Sequence, residues 1–450
     1  MEKEDVEALL AKAGQPSQDA LALHPRYPGK IQVLPRCPIR DLRDFSVWYT
    51  PGVAAPCKEI EARPERVWEH TGRGNRVAVV SDGSRVLGLG DIGPEAGLPV
   101  MEGKALLFKY LGGVDAIPLC LRTRSPEELI AAVRMLEPTF GGVNLEDIRQ
   151  PDCFHVLDAL QDLEIPVWHD DQQGTAVVVL AALENALAVT GRKLGELRVA
   201  LIGTGAANVS VYRLLTSSGL DPCRVIACDR GGILHAGRAD LEAQRSRFPD
   251  KWRIATETNP ERIRGGIAEA LDGADACIAF STPGPGVIRG EWIGRMARDA
   301  IVFACANPVP EIWPWEAREA GARVVATGRS DFPNQLNNSL AFPAVFRGVL
   351  DVRARRVTQG MARAAAAAIA GFARERGLRD DDILPRMDER DLVPRVAAAT
   401  ALAAQAEGVA RLARTEQELV TGARRSVSEA RAATELLMRE GLIAPIPPRG

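Results

Sequence analysis

The sequence predicts an α/β protein of two successive sheet-based units followed by helices, and three observations predict it. Short apolar, β-branched runs alternate with stretches of helical spacing from about residue 77 to residue 327. Several of these runs close on acids or amides, which in a parallel α/β layer face the crevice at the carboxyl ends of the strands. One run, 197–202, leads into a Gly-x-Gly turn, a helix, a further strand and an acid, the order of a Rossmann-like nucleotide unit. The expected division is an N-terminal α/β catalytic domain (1–175), a Rossmann-like dinucleotide-binding domain (176–355), and C-terminal peripheral helices (356–450) packing on the domains or at a subunit interface. A chain of 450 residues is too long for one ordinary core.

Bulk properties exclude several function classes. A net charge of −3 with 26% charged residues argues against nucleic acid or an acidic membrane as partner. The 8 cysteines stand singly, with no C-x-x-C pair and no secretory leader, as expected of reduced thiols in the cytoplasm. The longest apolar runs, 175–189 and 361–373, are interrupted by Glu184 and Asn185 or are too short to span a bilayer.

Taken in order, the first 20 residues read as a short amphipathic helix carrying Val6, Leu9 and Leu10, then a loop over 15–19. After an extended stretch at 28–35, Tyr49 stands where a strand or loop ends and a helix begins near Pro56, because Pro51 turns Thr50 away from helix and Gly52 allows a sharp turn. A tyrosine there is either a proton donor at a cleft edge or an ordinary core aromatic. Ser81-Asp-Gly-Ser84 between the runs 77–80 and 86–89 is a hairpin signal, and a glycine-dense loop then delivers Lys104 to a helix start. Only 8 of the 56 basic residues are lysines. A buried amine can shed its proton and a guanidinium cannot, so Lys104 reads as a base, the alternative being a solvated surface lysine. Gly88, Gly90 and Gly93 spell a literal G-x-G-x-x-G, but no βαβ unit follows, and they are read as a loop allowing close backbone approach.

A strand at 116–121 precedes a helix with Ser125 as N-cap, running to about Leu136. The next strand ends in Glu146-Asp147, and a further short one in Asp170-Asp171, which leads into a long helix over about 175–190. Glu146, Asp147 and Asp170 or Asp171 supply hard oxygen ligands, a set for Mg²⁺ or Mn²⁺ rather than zinc. In the Gly203-Thr-Gly205-Ala206-Ala207-Asn208 turn, Asn208 stands where a third glycine is usual. Asp229 favours NAD through a ribose 2′-hydroxyl, and its neighbour Arg230 favours NADP through a 2′-phosphate, so the choice stays open. Strands at 274–280, 300–306 and 323–327 each precede loops of hydroxyl or amide side chains, and helices are expected over 357–373, 396–412 and 426–440.

Assembled, these blocks resemble the malic enzymes of the shorter, prokaryotic type. The likeness covers about residues 25–355 and rests on Tyr-Thr-Pro-Gly-Val-Ala at 49–54, Ser-Asp-Gly-Ser-Arg-Val-Leu-Gly-Leu-Gly-Asp at 81–91, Glu-Gly-Lys-Ala at 102–105, Asn-Leu-Glu-Asp at 144–147, His-Asp-Asp-Gln at 169–172 and Asn-Pro-Val-Pro-Glu at 307–311. The resemblance implies Tyr49 as general acid, Lys104 as general base with Asp170 in the catalytic set, and Glu146, Asp147 and Asp171 as metal ligands. It implies Arg85 as the holder of the substrate carboxylate, and Asn307 and Asn338 as amides near nicotinamide and substrate. Asn208, Gln173 and Val309 depart from the family's pattern without removing a reacting group. The implied activity is oxidative decarboxylation of L-malate to pyruvate and CO₂ with NAD or NADP and a divalent metal, in a cytoplasmic homodimer or larger homo-oligomer. Alternatives are a malolactic or other hydroxy-acid decarboxylating enzyme and a catalytically silent malate or nucleotide sensor. The acyltransferase-like domain of longer family members is not expected in a chain of this length.

Overall fold

The computed structural model describes residues 15–447, so the helix expected around Val6 to Leu10 lies outside the described residues. Residues 15–23 are helical where a loop is expected at 15–19; Gln15 Nε2 donates to Asp19 Oδ1 at 2.9 Å, an i,i+4 bond that supports the turn.

Two parallel layers carry the fold. The first comprises β1 (Arg76–Ser81), β2 (Asp115–Cys120), β3 (Gly142–Leu145) and β4 (Val167–His169) in the order β2-β1-β3-β4, all parallel. Both faces are covered, which is why these strands read as continuous apolar runs rather than alternating ones. The register pairs Val80 with Leu145 and Leu145 with His169, so the residues following β3 and β4 leave the sheet at the same height. The second layer comprises β5 (Val199–Ile202), β6 (Val225–Asp229), β7 (Gly232–Ile233), β8 (Ala276–Ala279), β9 (Ala300–Ala304) and β10 (Ala322–Thr327), ordered β10-β9-β8-β5-β6-β7. Only the short β7 runs antiparallel. Ile202 pairs with Ala279 and Ala279 with Ala304, which aligns the Gly203 turn with the loops opening at Phe280 and Cys305.

The expected hairpin after Ser81 is absent. Both edges of β1 are taken by β2 and β3, leaving none for an antiparallel partner. Asp82 instead closes a local turn, accepting from Ser84 N at 2.9 Å and Ser84 Oγ at 2.6 Å. Lys104 also does not start a helix; it lies within Gly93–Gly112, whose inner face buries Met101, Ala105 and Phe108. The helix runs on through Pro99 and the glycines at 97 and 103, residues that weaken a helical pattern read from sequence.

The helix Thr175–Thr190 follows a π-helical turn, Asp170–Gly174, and is buried along most of its length against the helices Ala206–Ser217 and Gln359–Arg374. The stretch Asp170–Thr190, of mean hydropathy 1.4, is long and apolar enough to cross a membrane, yet 67% of that window is buried inside the fold. The helix Leu392–Ala406 packs between Phe342–Asp351 and Gln359–Arg374, while Glu416–Arg439 lies along Gly93–Gly112. One apolar cluster runs from the first sheet through these helices to one face of the second sheet, and a smaller cluster covers that sheet's other face.

Candidate functional site

The shared register of β3 and β4 brings four carboxylates together, two of them on one amine. Lys104 Nζ lies 2.6 Å from Asp170 Oδ2 and 2.8 Å from Glu146 Oε1, with the Phe342 ring centroid 4.3 Å away. Asn144 Nδ2 donates to Glu146 Oε2 at 2.8 Å, and Trp168 Nε1 to Asp170 Oδ1 at 3.2 Å, so each carboxylate is held on both oxygens. Gly174 leaves room for Asp170: a Cβ there would lie 2.9 Å from Asp170 Cγ. Asp147 follows at φ 54°, in the left-handed region that aspartate enters more readily than most side chains. Its N–H donates to Asp171 Oδ2 at 2.9 Å and its Oδ1 accepts from Leu87 N at 3.2 Å, but Oδ2 is buried with no partner.

This cluster holds more negative charge than one lysine can balance. Burial, reinforced by the neighbouring carboxylates, pushes Glu146 and Asp170 above the ordinary carboxylate range and Asp147 up to about 7. The orphaned Asp147 Oδ2 and the all-oxygen donor set of Glu146, Asp147 and Asp171 fit a hard divalent cation such as Mg²⁺ or Mn²⁺. Among the described residues these oxygens are not gathered about one point, since Glu146 faces Lys104 and Asp171 faces the Asp147 amide. A cation would compete with both contacts.

Lys104, Glu146, Asp147 and Asp171 line a cavity of about 410 Å³ together with Arg85, Asn307, Asn338 and the Gly205-Ala206-Ala207 turn. The first sheet thus contributes acids and amine, and the second a nucleotide-type turn, to one space. The Gly88 loop closes the side: a Cβ at Gly88 would meet the Asn307 backbone carbonyl and lie 3.3 Å from Pro308 Cδ, the expected close approach, whereas a Cβ at Gly90 or Gly93 would meet nothing within 4 Å. Asn208 does not weaken the turn, because its buried amide donates to Ile202 O at 3.0 Å, Gly203 O at 2.8 Å and Ile278 O at 3.2 Å, tying the helix to two strand ends. Gln173 accepts from His169 N at 2.9 Å and so fixes the π-helical turn.

Two expectations need correction. Tyr49 does not share the cavity: it ends the helix Leu42–Trp48, is 71% exposed, and is absent from the lining. It belongs to an arm whose apolar side chains also face outward, Val33 at 90% and Leu42 at 82% exposure. Lys104 is not neutral as it stands. Burial pulls its pKa down, but the charges and hydrogen bonds of Asp170 and Glu146 outweigh burial and raise it, so the amine stays charged. Neither residue's local sequence reports its surroundings.

Glu311 was given no role by sequence reading. Its carboxylate, fully buried, accepts from Ser281 N at 2.7 Å, Ser281 Oγ at 3.0 Å and Ala306 N at 3.0 Å. It thereby ties the loops after β8 and β9, which carry Ser281 and Asn307 to the cavity. The signal available was a lone acid closing a proline-rich turn between apolar strands.

Comparison with known proteins agrees with this fold. Residues 28–128 match the model of the malic enzyme N-terminal domain, and residues 172–406 that of the malic enzyme NAD binding domain. An NAD-dependent malic enzyme of Geobacillus stearothermophilus is 47% identical over 384 residues, covering 85% of this chain and 78% of that protein. An NADP-dependent malic enzyme of Halomonas elongata is 42% identical over 411 residues, covering 88% and 94%. The crystal structure of Entamoeba histolytica malic enzyme superposes with a TM-score of 0.95 at 45% identity, covering 99% of this chain and 93% of that one.

Proposed function

The chain belongs to the malic enzyme family, and from that premise we propose that it oxidises L-malate and decarboxylates it to pyruvate and CO₂ while reducing NAD or NADP. The observation that carries this reading is Lys104, clamped at 2.6 and 2.8 Å by Asp170 and Glu146 at the wall of a cavity shared with the Gly205 turn. Glu146, Asp147 and Asp171 would hold the divalent ion, which would supply Lewis-acid stabilisation of negative charge on the substrate oxygens. The Gly203–Ala207 turn would hold the dinucleotide, which would supply the hydride-accepting chemistry.

The remaining steps fall to this chain's own side chains. Arg85 fixes the substrate carboxylate by a two-point contact that lysine cannot reproduce. Asn307 and Asn338 orient substrate and nicotinamide without adding charge. Lys104 takes the proton of the malate C2 hydroxyl. It acts as a base after passing its own proton to Asp170, which it contacts at 2.6 Å; burial, the largest influence on the amine, favours the neutral form, and it is opposed less once Glu146 is engaged elsewhere. Asp170 holds the amine in place. The free cysteines fit a reducing cytoplasm.

The proton returned to C3 requires a second donor, and none of the cavity's lining residues is a phenol. A homodimer resolves this together with the bare arm: a second copy covers the apolar side chains of residues 33–53 and receives Tyr49 into its own cavity. Reduced-nicotinamide absorbance with malate and Mn²⁺, followed by pyruvate assay, tests the reaction; malate consumed to lactate without net cofactor reduction refutes it. Mixing the inactive variants Tyr49→Phe and Lys104→Ala tests the shared site. Random re-association should restore about a quarter of wild-type activity, because half the dimers are mixed and each holds one intact site; a mixture that stays inactive rules the sharing out.

A further inference from the structure

Resting on that reading and extending it, we infer that the ribose end of the cleft is built for the 2′-phosphate of NADP rather than the free diol of NAD, with Lys251, Arg238 and Arg230 discriminating. An acid at the end of the second Rossmann strand ordinarily accepts from the ribose hydroxyls. Asp229 holds that position at the end of β6, but its carboxylate is already engaged. Oδ1 accepts from Gly231 N at 2.8 Å and Arg238 Nη1 at 2.6 Å, and Oδ2 accepts from Lys251 Nζ at 3.1 Å. A carboxylate offers about four acceptor positions. One is left, and a vicinal diol brings two donors.

The donor side is the reverse. Lys251 has spent one of its three N–H bonds. Arg238 gives Nε and Nη2 to Asp240 at 3.0 and 2.5 Å, and its second Nη1 hydrogen to Gly232 O at 3.2 Å, which leaves one Nη2 hydrogen. Arg230 is exposed and, among the described residues, without an ion-pair partner. In the cavity lining Arg238 and Lys251 balance Asp229 and the exposed Asp240, so the unpaired Arg230, next to Asp229 in the chain but outside the lining, tips the neighbourhood positive. The unspent N–H groups of Lys251 and Arg238 suit a phosphate, which only accepts.

The space exists. A cavity of about 250 Å³ opens beside Asp229, walled by Arg238, Asp240, Gln244, Lys251, Phe248 and Trp252. Gly231 keeps it open toward the guanidinium, since a Cβ there would lie 3.1 Å from Arg238 Cζ.

Calorimetric titration of the full chain with adenosine 2′,5′-bisphosphate and with AMP reads this site without turnover. The bisphosphate should bind about tenfold tighter or better at low ionic strength, and the advantage should shrink as salt screens it. Lys251→Gln and the exposed Arg230→Gln should each cut that advantage by about threefold or more, and the NADP-to-NAD ratio of kcat/KM should fall with it. Equal binding of the two nucleotides, a native preference for NAD, or an advantage untouched by both substitutions overturns the inference. Bisphosphate preference without malate turnover would uphold it and remove the catalytic reading; malate oxidation with NAD favoured would do the opposite.

Discussion

Gly174→Ala is the sharpest probe of the amine's setting. The backbone at Gly174 is helical, φ −64°, so alanine meets no conformational objection and has the better helix propensity. The obstacle is space. A Cβ would lie 2.9 Å from Asp170 Cγ and closer still to Oδ1, whereas carbon pairs settle at about 3.5–4.0 Å, so the carboxylate must withdraw by roughly 1 Å or more. Taking the Lys104–Asp170 contact from 2.6 Å to about 4 Å, at an effective dielectric of about 20, costs on the order of 2 kcal/mol. Both side chains are buried, which limits solvent screening. If Asp170 positions the amine in the transition state, kcat/KM for malate falls by about thirty-fold, at roughly 1.4 kcal/mol per decade. Initial rates with a melting curve alongside separate this from unfolding. Gly103→Ala is the matched control: it neighbours Lys104 on the same kind of backbone, its added Cβ meets nothing within 4 Å, and it should leave turnover unchanged while stabilising the helix by up to about 1 kcal/mol. A folded Gly174→Ala enzyme with wild-type kcat/KM would refute the reasoning.

Two further predictions concern the loops and the ion. Glu311→Gln sets an N–H donor against either the Ser281 or the Ala306 amide, where a hydrogen bond to a charged group contributes about 1.5–3 kcal/mol; KM for the dinucleotide should rise by about tenfold with a smaller change in kcat, and an equal loss in both would assign Glu311 to general stability instead. Chelation followed by Mn²⁺ should raise Tm by a few degrees, since ligand at a hundred times its Kd contributes about 2.7 kcal/mol; Glu146→Gln should abolish that rise, and a Tm indifferent to Mn²⁺ would place the ion elsewhere.

What could be read from the sequence was what local pattern determines. The runs at 77–80 and 199–202 are β1 and β5 because strands covered on both faces must be apolar throughout. The two acid pairs were legible as strand ends, and only the pairing of Leu145 with His169 turned them into one site. What could not be read depends on residues distant in the chain. Whether Ser81-Asp-Gly-Ser84 makes a hairpin is decided by β2 and β3 occupying both edges of β1. Whether Lys104 is charged is decided by Asp170, 66 residues away, together with Glu146, whose combined pull outweighs burial. Tyr49 is the extreme case. Apolar composition distinguishes residues that avoid water from residues that do not, but it does not say which surface excludes the water. Val33, Leu42 and Trp48 have core-type side chains and stand exposed in the single chain. A stretch with core-like composition that its own fold leaves bare has the character of an interface, and an interface carrying Tyr49 would join subunit assembly to catalysis: substitutions that part the subunits should abolish turnover even with every residue of the cavity lining intact.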